Sequence, residues 1–162
     1  YSIYKSVMET LDSQMVLYEF DNFVLQWEHA IGIDLGPYNR GHGVAFIGDR
    51  GTLVVDRGGW EVIPEKPGQE GSLQAVPRIS GDGNDAANHV RDFLDCIRSR
   101  KTPRGSIEIG KNIAIISHMG NIAHRTGDKL YWDNAKKVFA GNEKATELIW
   151  PQYRAPWKLP RI

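Results

Sequence analysis

Cysteine is nearly absent: Cys96 is the single thiol in 162 residues. That excludes an internal disulfide and leaves the redox compartment open. No apolar run approaches the roughly 18 residues a membrane-spanning helix needs, so no membrane partner is read. An excess of either charge is missing too. Twenty Lys and Arg balance twenty Asp and Glu, and without a basic run nothing points to nucleic acid or to a membrane surface. There is no internal repeat and no low-complexity tract. The chain opens on Tyr1 with no leader pattern, read either as a start removed by processing or as a piece of a longer protein, so the compartment, cytoplasmic or periplasmic, stays open. With 41% hydrophobic and 25% charged residues, the composition is that of a globular domain. The length suits one domain with a substantial core, so residues 1–162 are read as a single domain.

Chemical motifs are equally sparse. Glycine is plentiful, yet no Gly-x-Gly-x-x-Gly follows a strand and opens a helix, and no Gly-x-x-x-x-Gly-Lys-Ser/Thr occurs. No cofactor-binding residue is therefore assigned. His29, His42, His89, His118 and His124 include no pair three or four apart on a helix, and Cys96 has no partner at metal-ligand spacing. No metal ligand and no catalytic residue are assigned either. Cys96 reads as a small core residue, since nothing near it in sequence would activate a nucleophile.

What is present is a run of strands followed by helices. Phe23, Leu25 and Trp27 alternate with Val24, Gln26 and Glu28, the period of two of a strand with one apolar face. Met15 to Phe20, a turn at Asp21-Asn22, and Phe23 to Ala30 predict a hairpin. Short strands follow at Val44 to Ile47, Thr52 to Val55 and Trp60 to Ile63. The glycine turns Gly48-Asp49-Arg50-Gly51 and Asp56-Arg57-Gly58-Gly59 join them, too short for parallel crossovers. Residues 64–83 read as a surface loop.

A helix is expected from Asn84 or Asp85, with Ala86, Val90, Phe93, Leu94 and Ile97 on one stripe. A second starts at Ser106 and ends at Gly127. Lys129 to Asp133 reads as extended, and Glu143 to Ile149 as a short helix. The proline-rich tail reads as extended and pinned by Tyr153 and Trp157, while residues 1–13 show only weak helical spacing. Segregated strands and helices predict an α+β domain: an open, mostly antiparallel sheet with helices packed on one face.

Three residues are candidates for a substrate cleft by position. His29 continues the Phe23, Leu25, Trp27 face to the strand end. Arg40 and His42 lie on the glycine-rich loop, Gly32 to Gly43, that leaves from that end. The plainer reading of His29 is a strand-end ring satisfied by backbone. Trp60 reads as core, Arg57 as a solvated or paired arginine, and His89 as a packing or capping residue.

Several stretches in this order carry a resemblance. They are Tyr18-Glu19-Phe20 and Trp27-Glu28-His29, then Gly51-Thr52-Leu53 and Asp56-Arg57-Gly58-Gly59-Trp60-Glu61-Val62. His89 through Arg100, Gly120-Asn121-Ile122-Ala123, Leu130-Tyr131-Trp132-Asp133 and Tyr153-Arg154-Ala155-Pro156-Trp157 complete the set. Together they resemble the C-terminal domain of the Gfo/Idh/MocA oxidoreductases, nearest the bacterial sugar-dehydrogenase branch.

The resemblance implies a parent enzyme whose own N-terminal Rossmann domain holds NAD or NADP, with none bound by this piece. It also implies a sugar or cyclitol substrate oxidised at a CH–OH group, and a homo-oligomer built on the sheet. The family's Glu-Lys-Pro follows a Rossmann strand. Here Glu65-Lys66-Pro67 stands in a loop of the second domain, and its role is not carried over. The family's catalytic Asp and His have no counterpart, so this piece is expected to be inactive alone. The competing reading is a non-catalytic carbohydrate-binding or oligomerisation module.

Overall fold

A computed structural model of the chain describes residues 10–150 and 153–158. The described residues fall into two compact units, one of residues 11–106 and the other of residue 10 with residues 107–150 and 153–158. Most of the expectation for residues 1–13, and part of that for the tail, lie outside the described residues.

The first unit begins with an antiparallel hairpin, β1 (Ser13–Glu19) and β2 (Val24–Ala30), paired from Ser13 opposite Ala30 to Glu19 opposite Val24. The Phe20 amide donates to the Phe23 carbonyl (3.0 Å) and the two rings stack 4.3 Å apart, closing the turn over Asp21 and Asn22. The register puts Val16, Tyr18, Leu25, Trp27 and His29 on one face and Met15, Leu17 and Val24 on the other.

A four-stranded antiparallel meander follows: β3 (Val44–Ile47), β4 (Gly51–Asp56), β5 (Gly59–Pro64) and β6 (Val76–Ser80), in that order. Its first three strands are the ones expected from the glycine turns. The fourth corrects the reading of residues 64–83 as a loop. Pro77 has no N–H to give, which confines a proline to an edge strand or a bulge. Here β6 is an edge strand, and its pairing with β5 is interrupted by a bulge between Trp60 and Val62, so no ladder bond is asked of Pro77.

Alternation sorts the meander into two faces. Thr52, Val54, Asp56 and Glu61 share one, and Val54 (3% exposed) is among the few buried apolar residues. The opposite face carries Val44, Phe46, Trp60 and Ile79, all exposed. Trp60 is thus a surface residue here rather than core.

Helix α1 (Asp85–Ser99) starts after Asn84, whose carbonyl accepts from the Asn88 amide at 2.9 Å; Arg100, with φ 59°, ends it. Its stripe forms as expected, but Val90, Phe93, Leu94 and Ile97 are exposed. Asp92 accepts from the Arg104 amide at 2.9 Å and folds the next turn back on the helix. There His89 packs so closely on Gly105 that a Cβ would lie 2.9 Å from the ring.

In the second unit, α2 (Ile107–Thr126) ends at Gly127, which takes φ 75° and donates to the Ala123 carbonyl. A small hairpin, β7 (Trp132–Asp133) and β8 (Val138–Phe139), and α3 (Glu143–Glu147) complete it. Ile122, Phe139 and Ala145 form its buried core, with Met119, Leu130, Trp132 and Ile149 packed around them. The Asn142 side chain caps α3 by accepting from the Ala145 amide. Tyr153 and Trp157 are exposed, so they do not pin the tail in this chain.

Strands paired antiparallel and grouped ahead of the main helices give the expected α+β class. Among the described residues the strands divide into three small sheets instead of one.

Candidate functional site

The densest polar arrangement among the described residues sits on the meander face that carries Asp56 and Glu61. Asp56 ends β4, and its carboxylate is nearly buried, with 6% side-chain exposure. Arg78 of β6 donates to both of its oxygens, Nη1 to Oδ2 at 2.8 Å and Nη2 to Oδ1 at 2.7 Å. The Gly58 amide donates to Oδ1 at 2.6 Å. Arg40 reaches in from the β2–β3 segment. Its Nε lies 2.9 Å from Asp56 Oδ2, and its Nη2 donates to Glu61 of β5.

Two guanidinium groups thus face two carboxylates, and the charges cancel. The Arg78 hydrogen bonds hold the Asp56 carboxyl far below the usual carboxylate range; the Gly58 amide and the charge of Arg40 add to this, against the opposing effect of burial. Arg78 in turn is held protonated by Asp56.

The three cleft candidates separate. His29 is satisfied by its hairpin and the residue stretch just before it. The Trp27 indole donates to Nδ1 at 3.3 Å, which leaves Nε2 as the protonated nitrogen, donating to the Leu11 carbonyl at 3.1 Å. Arg40, on the β2–β3 segment, is committed to Asp56 and Glu61 of the meander. His42, two residues along, is exposed. Sequence reasoning singled out Arg40 but missed Asp56, Glu61 and Arg78. The available signal was a pair of acidic residues, one on each strand flanking the Gly58-Gly59 turn, on the same face of the hairpin.

Cys96 is half-buried on α1, and burial, with Asp92 and Asp95 nearby, pushes its thiol upward, away from nucleophile chemistry. Among the described residues, no group of three or more His, Cys, Asp or Glu could hold a metal ion.

The Gly81-Asp82-Gly83 turn between β6 and α1 carries a strand through two glycines into a long helix, the setting a nicotinamide dinucleotide needs. The residues do not fit it. Asp82 Oδ1 already accepts the Asn84 amide at 2.9 Å, the position a phosphate oxygen would need, and Asp85 adds a second negative charge at the helix start. The sheet is antiparallel, without the βαβ crossover that aims such a turn.

A family model described as oxidoreductase family, C-terminal alpha/beta domain, of the Gfo/Idh/MocA type, matches residues 67–159. The match begins after β5, so it covers Arg78 but not His29, Arg40, His42, Asp56 or Glu61. No curated protein and no solved structure matches the chain.

Proposed function

Because the chain belongs to the Gfo/Idh/MocA oxidoreductase family, as its C-terminal α/β domain, we propose that it is the substrate and assembly domain of a nicotinamide-dependent dehydrogenase. The family match is the observation that carries this reading. The reaction is reversible hydride transfer between NAD or NADP and a carbinol carbon of a sugar or cyclitol. The nicotinamide is held by an N-terminal Rossmann domain of the parent protein, since the glycine turn before α1 does not suit it.

In this reading His29, Arg40 and His42 border the substrate. His42, exposed on the β2–β3 segment, makes the direct hydrogen bond to a hydroxyl. Arg40 acts through the lattice that holds it, and His29 through its fixed ring in the hairpin. Assembly as a homo-oligomer is favoured by the exposed apolar face of the meander, Val44, Phe46, Trp60 and Ile79. An isologous dimer would cover it.

The test is a nicotinamide-reduction assay of the whole protein with NAD and NADP against hexoses, their acids and inositols, with His42→Ala beside the native protein. Reduction with one polyol class, and a KM raised about tenfold or more by His42→Ala, the size of one lost polar contact, support the reading. Sugar binding without turnover with either nucleotide would replace it with the carbohydrate-binding module. Concentration-dependent dimerisation without sugar binding or turnover would leave the assembly role alone.

A further inference from the structure

We propose that the segment between β2 and β3 is a strap latched electrostatically to the meander, and that Arg40 is the latch. This stands on the lattice geometry and is independent of the substrate reading. The strap is pinned at both ends by backbone. Its start is tied by the Ile31 amide donating to the Asp12 carbonyl at 2.9 Å. Its end runs along β4, where Gly43 passes so near that a Cβ would sit 2.6 Å from the Val55 carbonyl oxygen.

Between these points the strap folds on itself. The Gly36 amide donates to the Arg40 carbonyl at 2.9 Å, and the Arg40 amide to the Pro37 carbonyl at 3.2 Å. Tyr38 and Asn39 take positive φ values of 59° and 55°, a conformation non-glycine residues rarely adopt without something to hold it. Apolar packing does not supply that hold, because Ile33 and Leu35 are more than half exposed (61% and 67%). The Arg40 guanidinium, against Asp56 and Glu61, does.

The receptor for the latch is organised without it. Asp56 is already gripped by Arg78 and the Gly58 amide, so Arg40 can leave without stranding a nearly buried carboxylate. Glu61, 22% exposed, can be hydrated in its place. Opening therefore breaks the charge-assisted Arg40–Glu61 hydrogen bond and the Arg40–Asp56 ion pair but exposes little new apolar surface. Such segments open at the low end of a protein's local stabilities. Arg78 is the positioning residue of the latch, fixing the carboxylate that Arg40 meets.

Limited trypsin digestion of the intact protein tests this, because Arg40 must leave the lattice before the Arg40–Gly41 bond can enter a protease. Cleavage after Lys101, on the exposed turn beyond α1, serves as the internal reference. Glu61→Gln removes one charge partner of Arg40 and leaves the Arg78–Asp56 pair intact; Asp56→Asn removes the other. The expected result is cleavage at Arg40–Gly41 about tenfold faster or more in Glu61→Gln, the effect of losing one charge-assisted bond, with Lys101 cleavage unchanged. Two results would overturn the latch. One is unchanged Arg40–Gly41 cleavage in Glu61→Gln. The other is equal acceleration at both sites, which would make the lattice a stabiliser of the whole unit.

Discussion

Arg78 on β6 and Asp56 on β4 are joined across the intervening strand β5 by a two-point grip, at 2.8 and 2.7 Å. The side chain crosses where the turn is made of glycine: a Cβ on Gly58 would fall 2.7 Å from Arg78 Nη2. The grip ties the edge strand β6 to β4 over the face of β5 and sets the carboxylate that Arg40 meets.

The first prediction concerns acid stability. The folded Asp56 carboxyl titrates well below its unfolded value because Arg78 hydrogen-bonds it. A depressed folded value stabilises the fold fully above the unfolded carboxylate value, near ~3.9, and that contribution is lost as pH falls below it toward the folded value. Asp56→Asn should therefore lower Tm at neutral pH and flatten the fall of Tm on the acid side of pH ~4. Thermal unfolding across a pH series checks it. A parallel downward shift at every pH would show that the carboxylate's ionisation is not what stabilises this corner.

Gly59 gives the second. It takes φ +149°, and a Cβ there would come within 2.1 Å of the Ile79 carbonyl oxygen, backbone that cannot step aside without unpairing β6 from β5. Gly59→Ala should cost about 2 kcal/mol or more, combining backbone strain and overpacking. Denaturant unfolding measures the loss, and hydrogen exchange at the β5–β6 amides should locate it. Gly68→Ala is a control for the left-handed backbone alone, since φ is +83° there and nothing lies within 4 Å.

The sequence announced the strands whose turns are glycine-rich. Gly48 to Gly51 and Asp56 to Gly59 marked the meander because short turns of this chemistry force antiparallel neighbours. It hid β6, where Pro77 reads as a breaker unless the bulge in its partner is known. It hid β8 as well, two residues directly after Lys136-Lys137, whose turn is made by Asp133 accepting the Ala135 and Lys136 amides.

At the site, Arg40 stood out as a cation on a glycine loop, but its role depends on groups brought in from distant strands. Glu61 lies 21 residues along the chain from Arg40, and Asp56 is itself held by Arg78, 22 residues further on. No local pattern encodes such a lattice; it is a consequence of register. The apolar stripe of α1 was legible as a stripe, whereas its exposure in this chain was not, since periodicity tells which residues share a face and not what covers it.

The third prediction tests whether the second unit has a cooperative core of its own. Phe139 is 3% exposed, meets Trp132 edge-on at 5.2 Å and packs with Ile122 and Ala145. Its amide also donates to Thr146 Oγ1, which ties β8 to α3. Phe139→Ala removes the largest side chain of a cluster with few buried members, so little can move in to fill the space. The expected cost is about 3–5 kcal/mol, the usual range for a buried Phe→Ala, with exchange protection falling first along α2 and α3. Phe139→Leu keeps most of the volume and should retain most of the stability. If Phe139→Ala unfolds at the native midpoint, the cluster is not what holds this unit together, and the stabilising contacts must be sought outside Ile122, Phe139 and Ala145.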